Sequence, residues 1–164
     1  MDNIKARKNY LSWDETFMLM AQVIAQRSKD PSTQTGAVVV DKNNVVLGVG
    51  YNGWPRGIKE GHFSWSNNYG HNKKNILNTK YPYVVHAEVN AILNTNQSAE
   101  NAKLYCLLFP CNECAKIIIQ SGIKNIIYQD DRSDKDANNF IVSKKLFDLA
   151  GVKYKKHKIK KHLF

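Results

Sequence analysis

The sequence has no uninterrupted apolar stretch approaching the roughly 20 residues that a membrane-spanning helix needs, and its start, MDNIKARKNYLSWDE, lacks the apolar core of a secretory signal. Both absences exclude a membrane partner as the expectation and place the protein in the cytoplasm or nucleus, the cytoplasm first. Cysteine is scarce: three in 164 residues make a poor disulfide framework. Two of them, Cys111 and Cys114, form a C-x-x-C pair, which in a reducing compartment suits a metal or redox site. Internal repeats and low-complexity linkers are missing too, so residues 1–164 are expected to form one domain. Acidic residues are the minority, 14 against 24 basic, for a formal charge of +10. The excess is local, because the lysine-rich segment 153–164 (KYKKHKIKKHLF) carries six lysines and no acid. That segment reads as a solvated terminus, not a dedicated nucleic-acid patch.

What is present is the composition of a globular domain, with 43% hydrophobic and 23% charged residues. Helical spacing of Phe17, Met18, Met20, Ala21, Ile24 and Ala25 predicts a helix from Trp13 to Arg27, stopped by Asp30-Pro31. GAVVVD (Gly36–Asp41) and VVLGVGYN (Val45–Asn52) predict a hairpin across Lys42-Asn43-Asn44. Residues Gly53 to Tyr83 show no period and read as a long loop with one short helix. After it the pattern alternates: helix 86–94, strand 104–109, helix 111–121, strand 125–129, helix 140–150 and strand 152–156, with Gly122 and Gly151 at helix C-cap positions. The alternation implies right-handed crossovers and parallel pairing. The expected fold is a three-layer α/β/α sandwich on a mixed five-stranded sheet, its first two strands antiparallel.

Chemistry-bearing residues concentrate at two predicted helix starts, His86-Ala87-Glu88 and Pro110-Cys111-Asn112-Glu113-Cys114. The positive end of a helix lowers a thiol's pKa, and two sulfurs three residues apart can reach one ion. Adding His86 gives two thiolates and an imidazole, a set that suits zinc. Cys106 sits mid-strand in LYCLLF, where a small buried hydrophobe is expected, so three protein ligands leave a fourth position for water. Zinc lowers the pKa of such a water toward about 7, and Glu88 is the candidate proton carrier, provided the helix begins near His86. H-x-E followed by P-C-x-x-C is the signature of zinc-dependent nucleobase deaminases. A lone C-x-x-C also fits a redox pair or half a zinc knuckle, but the two halves together, with no second C-x-x-C, favour the catalytic reading.

AQRSKDPSTQTGAVVV (Ala25–Val40), GVGYNG (Gly48–Gly53), TKYPYVVHAEVNAI (Thr79–Ile92) and LFPCNECAKIIIQSGIK (Leu108–Lys124) resemble the deoxycytidylate deaminase family over roughly residues 13–152. The resemblance implies one catalytic zinc held by His86, Cys111 and Cys114, with Glu88 as general acid/base. It implies deamination of dCMP to dUMP, supplying thymidylate synthesis, and a substrate site lined by Arg27, Lys29 and Asn52. It further implies a homohexamer activated by dCTP and inhibited by dTTP with magnesium, the effector lying near Gly50, Tyr51 and Gly53.

The residues themselves speak less directly for a phosphate. Arg27 and Lys29 fall at the end of the first helix, where cations can grip a phosphate or simply complement the helix dipole. The glycines of Gly50-Tyr51-Asn52-Gly53 allow close approach of an effector phosphate, or merely a tight strand exit. Some viral relatives carry a second, structural zinc. The loop here offers His62 and His71 but no cysteine, so none is expected. Relatives often place a tyrosine after the strand that contains Tyr128, where Asp131-Arg132-Ser133-Asp134 has none. Other readings are a bifunctional dCMP/dCTP deaminase, a transfer-RNA adenosine deaminase, and a non-catalytic zinc-stabilised nucleic-acid-binding module. The RSKDP and GYNG context argues against the transfer-RNA enzyme, and Glu88 against the silent module.

Overall fold

The computed structural model describes residues 4–68, 73–131 and 137–159. Along the chain run α1 (Trp13–Ala25), β1 (Gly36–Val40), β2 (Val46–Tyr51), α2 (Ala87–Leu93), β3 (Lys103–Leu108), α3 (Asn112–Gln120), β4 (Asn125–Asp130), α4 (Ala137–Ala150) and β5 (Lys153–Lys156). The strands form one sheet in the order β2-β1-β3-β4-β5. β1 is antiparallel to both neighbours, whereas β3, β4 and β5 are parallel. This is the expected mixed five-stranded sheet.

Successive strand residues face opposite sides of a sheet, and the two cores divide on that rule. Val38, Val40, Tyr105 and Ile127 pack with Phe17, Met18 and Ala21 of α1. Ala37, Val39, Leu104, Cys106 and Ile126 pack on the other side with residues of α2, α3 and α4, including Ala91, Ile118 and Phe147. The sheet is therefore the middle of three layers.

α1 begins at Ser12, whose hydroxyl accepts the Glu15 amide at 3.3 Å. It ends at Ala25, two residues before the expected Arg27. Arg27 N and Ser28 N instead bond three residues back, to Ile24 O and Ala25 O, a tighter turn that closes the helix. α4 starts at Ala137, ahead of the expected Phe140, because its polar first turn gives the apolar pattern nothing to register. Among its described residues the long loop holds one 3-10 turn, Lys73–Asn78. Trp54 and Trp65 stack at 3.9 Å between ring centroids and Phe63 and Tyr83 at 4.0 Å, so the loop carries its own aromatic cluster. Gly122 and Gly151 take φ of 82° and 68° just past α3 and α4, as their positions predict.

The basic segment is not simply a solvated terminus. Residues Lys153–Lys156 are the edge strand β5, and Lys155 pairs with Asp14 at 2.6 Å while Lys156 lies 3.6 Å from both Asp130 and Asp131. Lysines on an edge strand discourage pairing with another chain. His71, Arg132-Ser133-Asp134 and residues 160–164 lie outside the described residues. Among the described residues no helix is long and apolar enough to cross a membrane.

Candidate active site

The sheet register decides which sequence motifs meet. Gly36 pairs with Tyr51, and Ala37 with both Gly50 and Cys106. The start of β1, the end of β2 and the end of β3 therefore share one edge of the sheet. The Ser28–Thr35 loop, Asn52 and the Phe109-Pro110-Cys111 exit all leave from that edge. In sheets with parallel strands, the crevice outside the carboxyl ends is the usual ligand site.

His86 and Cys111 are the N-cap residues of α2 and α3, with extended backbone (φ −73°, ψ 156° and φ −69°, ψ 171°). Neither side chain caps its own helix, so both project past the helix ends. Cys114 lies one turn into α3 and is buried. His86 Nδ1 is 3.3 Å from Cys114 Sγ and 3.4 Å from Cys111 Sγ. The three donor atoms lie within 4.8 Å of one another. With Zn–N near 2.0 Å and Zn–S near 2.3 Å, a nitrogen and a sulfur on one tetrahedral ion sit about 3.5 Å apart, so these spacings fit a single zinc.

The charges on these groups are mutually arranged. Hydrogen bonding to Cys111 raises the His86 pKa to about 9, against the effect of burial. Cys111 is lowered to about 4, chiefly by its hydrogen bond with Cys114 and then by His86. Cys114 is pushed up by Cys111 and by burial. Glu88, second residue of α2 and only 5% exposed, is raised by burial, which the nearby His86 partly offsets. The condition set by the sequence, a helix starting at His86, is met. Cys106 is fully buried on β3, with its thiol 3.9 Å from Ile127 O and its pKa raised by burial.

The remaining expected site residues are placed differently. Arg27 and Lys29 are exposed. Lys29 Nζ is 3.1 Å from Glu60 Oε1, a partner the sequence analysis did not single out. Asn52 is buried with its amide engaged in the protein: Oδ1 accepts Thr35 N at 3.0 Å and Nδ2 donates to Thr33 O at 2.9 Å. It holds the loop that carries Lys29. Gly50 is packed against α2. A Cβ there would lie 2.2 Å from Ala91 N and 2.4 Å from Ala87 O, so α2 makes a close approach at this glycine. Gly53 bridges to Val85. Tyr51 is exposed, and its carbonyl accepts Asn90 Nδ2 at 2.8 Å. Asp30 and Lys80, in motifs already quoted, form a buried ion pair that no periodicity reveals, since 50 positions separate them.

An imidazole, two sulfurs and a buried carboxylate at facing helix starts define a zinc-deaminase class of site, and sequence comparison is specific about which. Residues 11–130 match the family model for the cytidine and deoxycytidylate deaminase zinc-binding region. The chain belongs to that family. It is 47% identical over 153 residues to the deoxycytidylate deaminase of Pongo abelii, covering 93% of this chain and 83% of that protein. It is 46% identical to the deoxycytidylate deaminase of Homo sapiens, with the same coverage. Among solved structures, the dCMP deaminase of cyanophage S-TIM5 in complex with dCMP and dUMP superposes with a TM-score of 0.66 at 29% identity. That match covers 87% of this chain and 95% of the phage chain.

Proposed function

We propose that this protein is a zinc-dependent deaminase that hydrolyses dCMP to dUMP and ammonia. The observation that carries the reading is the placement of a buried Glu88 beside the His86, Cys111 and Cys114 donors, in a chain closely similar to deoxycytidylate deaminases. His86, Cys111 and Cys114 would hold one zinc, which would supply Lewis-acid activation of water at neutral pH. Glu88 takes one proton from the water as its oxygen bonds to C4 and delivers it to N3 of cytosine, then carries the remaining proton from the C4 hydroxyl to the amine, which leaves as ammonia when the C4–N bond breaks.

Arg27 and Lys29, exposed at the site edge of the sheet, bind the 5′-phosphate, and Asn52 supports them by fixing their loop. A C-x-x-C pair that serves as zinc ligands fits a reducing compartment such as the cytoplasm. Homohexamer formation, and control by dCTP, dTTP and magnesium, rest on family resemblance alone. With the space beside Gly50 filled by α2, an effector would have to approach from the Tyr51 and Gly53 side. Light scattering, and dCMP kinetics with and without each triphosphate and magnesium, test that part.

Incubation of the purified protein with dCMP, dCTP, cytidine and a transfer-RNA anticodon hairpin tests the activity. dCMP is expected to lose its amine fastest. Faster deamination of the hairpin or of cytidine overturns the assignment, and equal rates on dCMP and dCTP point to a bifunctional enzyme.

A further inference from the structure

Lys80 Nζ lies 2.5 Å from Asp30 Oδ2, with side chains 8% and 2% exposed. Removing two charges from water is costly, and their attraction offsets the cost only where the remaining hydrogen-bonding positions are also filled. On the Asp30 carboxylate they are filled. Asp30 Oδ1 accepts the amides of Ser32 at 2.8 Å and Thr33 at 3.1 Å, and Oδ2 accepts Asn52 Nδ2 at 3.4 Å besides Lys80. Ser28 Oγ donates to Asn52 O at 2.9 Å, closing the loop from its other end.

The pair also reaches the start of α2. The Lys80 carbonyl accepts Tyr83 N at 3.1 Å and Val84 N at 3.0 Å, which turns the chain into Val85. Val85 exchanges two backbone hydrogen bonds with Gly53, at 3.1 and 2.9 Å, and the next residue is His86. The turn that carries Lys29 is thus fastened at once to the end of β2 and to the segment leading into the helix of His86 and Glu88. A pair of apolar side chains could fill the same volume, but it would not dictate where the Ser32 and Thr33 amides point.

The geometry points to Asp30 and Lys80 as positioning residues that hold the Arg27–Lys29 turn in register with the helix start bearing His86 and Glu88. They act through the backbone and touch no substrate. The inference rests on the reading of Arg27 and Lys29 as phosphate-binding groups. Such a device matters for substrates that carry the phosphate and not for a nucleoside that lacks it.

Two variants separate this role from simple stability. Asp30→Asn/Lys80→Met removes both charges at similar volume. Asp30→Glu keeps the buried ion pair but lengthens the arm that receives the Ser32 and Thr33 amides. Each is assayed for bound zinc and for kcat and KM on dCMP and on deoxycytidine. Zinc is expected to stay at the wild-type level, KM for dCMP to rise about tenfold or more with kcat nearly unchanged, and efficiency on deoxycytidine to stay as it was. An equal loss on both substrates makes the pair merely structural and overturns the inference. So does failure of the double variant to fold while Asp30→Glu behaves as wild type. A wild-type preference for dCMP that survives in both variants overturns this inference alone, whereas a wild-type protein with no such preference overturns the phosphate reading as well.

Discussion

Lys29 Nζ sits 3.1 Å from Glu60 Oε1, so a cation proposed to meet the substrate phosphate already holds an anion from the long loop. Both side chains are well exposed, at 63% and 46%, and the Glu60 carboxylate is fixed from its other side by Trp65 Nε1 at 3.2 Å. An arriving phosphate has to compete with Glu60 for Lys29. Exposed pairs are weak, so the competition is modest. Glu60→Gln is expected to lower KM for dCMP about two- to fivefold with little change in kcat. An unchanged KM would mean that Glu60 does not compete with the phosphate for Lys29.

Replacing Glu88 by Gln keeps the side-chain size and removes the proton carrier. Turnover of dCMP is expected to fall by about 10²- to 10⁴-fold, the usual share of general acid–base catalysis, while metal analysis still finds one zinc per chain. Near-normal turnover would reassign the proton transfer to another group.

Cys111 and Cys106 are expected to behave differently. Cys111→Ala removes a donor within 3.4 Å of His86 Nδ1 and should abolish both zinc binding and activity. Cys106→Ala, in the core behind the site, should keep zinc and activity and cost about 1 kcal/mol of stability through the small cavity it leaves. Loss of zinc from the Cys106 variant would contradict the three-donor assignment.

Asp14 supplies a pH test. Burial opposes its ionisation, but hydrogen bonds from Lys155 and Tyr105, with the charges of Lys155 and His157, outweigh this and hold its pKa below the ordinary value. A carboxyl lowered in the folded state contributes stability that is present above its unfolded pKa, near 3.9, and is lost as pH falls through the folded value. The group is partly exposed, so the expected contribution is about 0.5–1 kcal/mol at pH 7. Urea unfolding of Asp14→Asn should show that deficit at neutral pH and a smaller drop than wild type between about pH 5 and pH 2. Parallel acid limbs for the two proteins would mean that the Lys155 contact has no energetic consequence.

The alternation of helices and strands, the antiparallel first hairpin, the parallel second half, and the pairing of His86-Ala87-Glu88 with Pro110-Cys111-Asn112-Glu113-Cys114 are all legible in the amino-acid order. These are local patterns: side-chain period, caps and ligand spacing are written over a few neighbouring residues. Packing alone sets β1 between β2 and β3, which brings the Ser28–Thr35 loop and the Cys111 helix to one edge of the sheet. It also decided that Asn52 turns inward to hold a loop, that Gly50 makes room for α2, and that Asp30 finds its counterion in Lys80. Each of these depends on residues far apart in the chain arriving at one place, and on competition for hydrogen bonds once water is excluded. A local pattern carries no record of that competition.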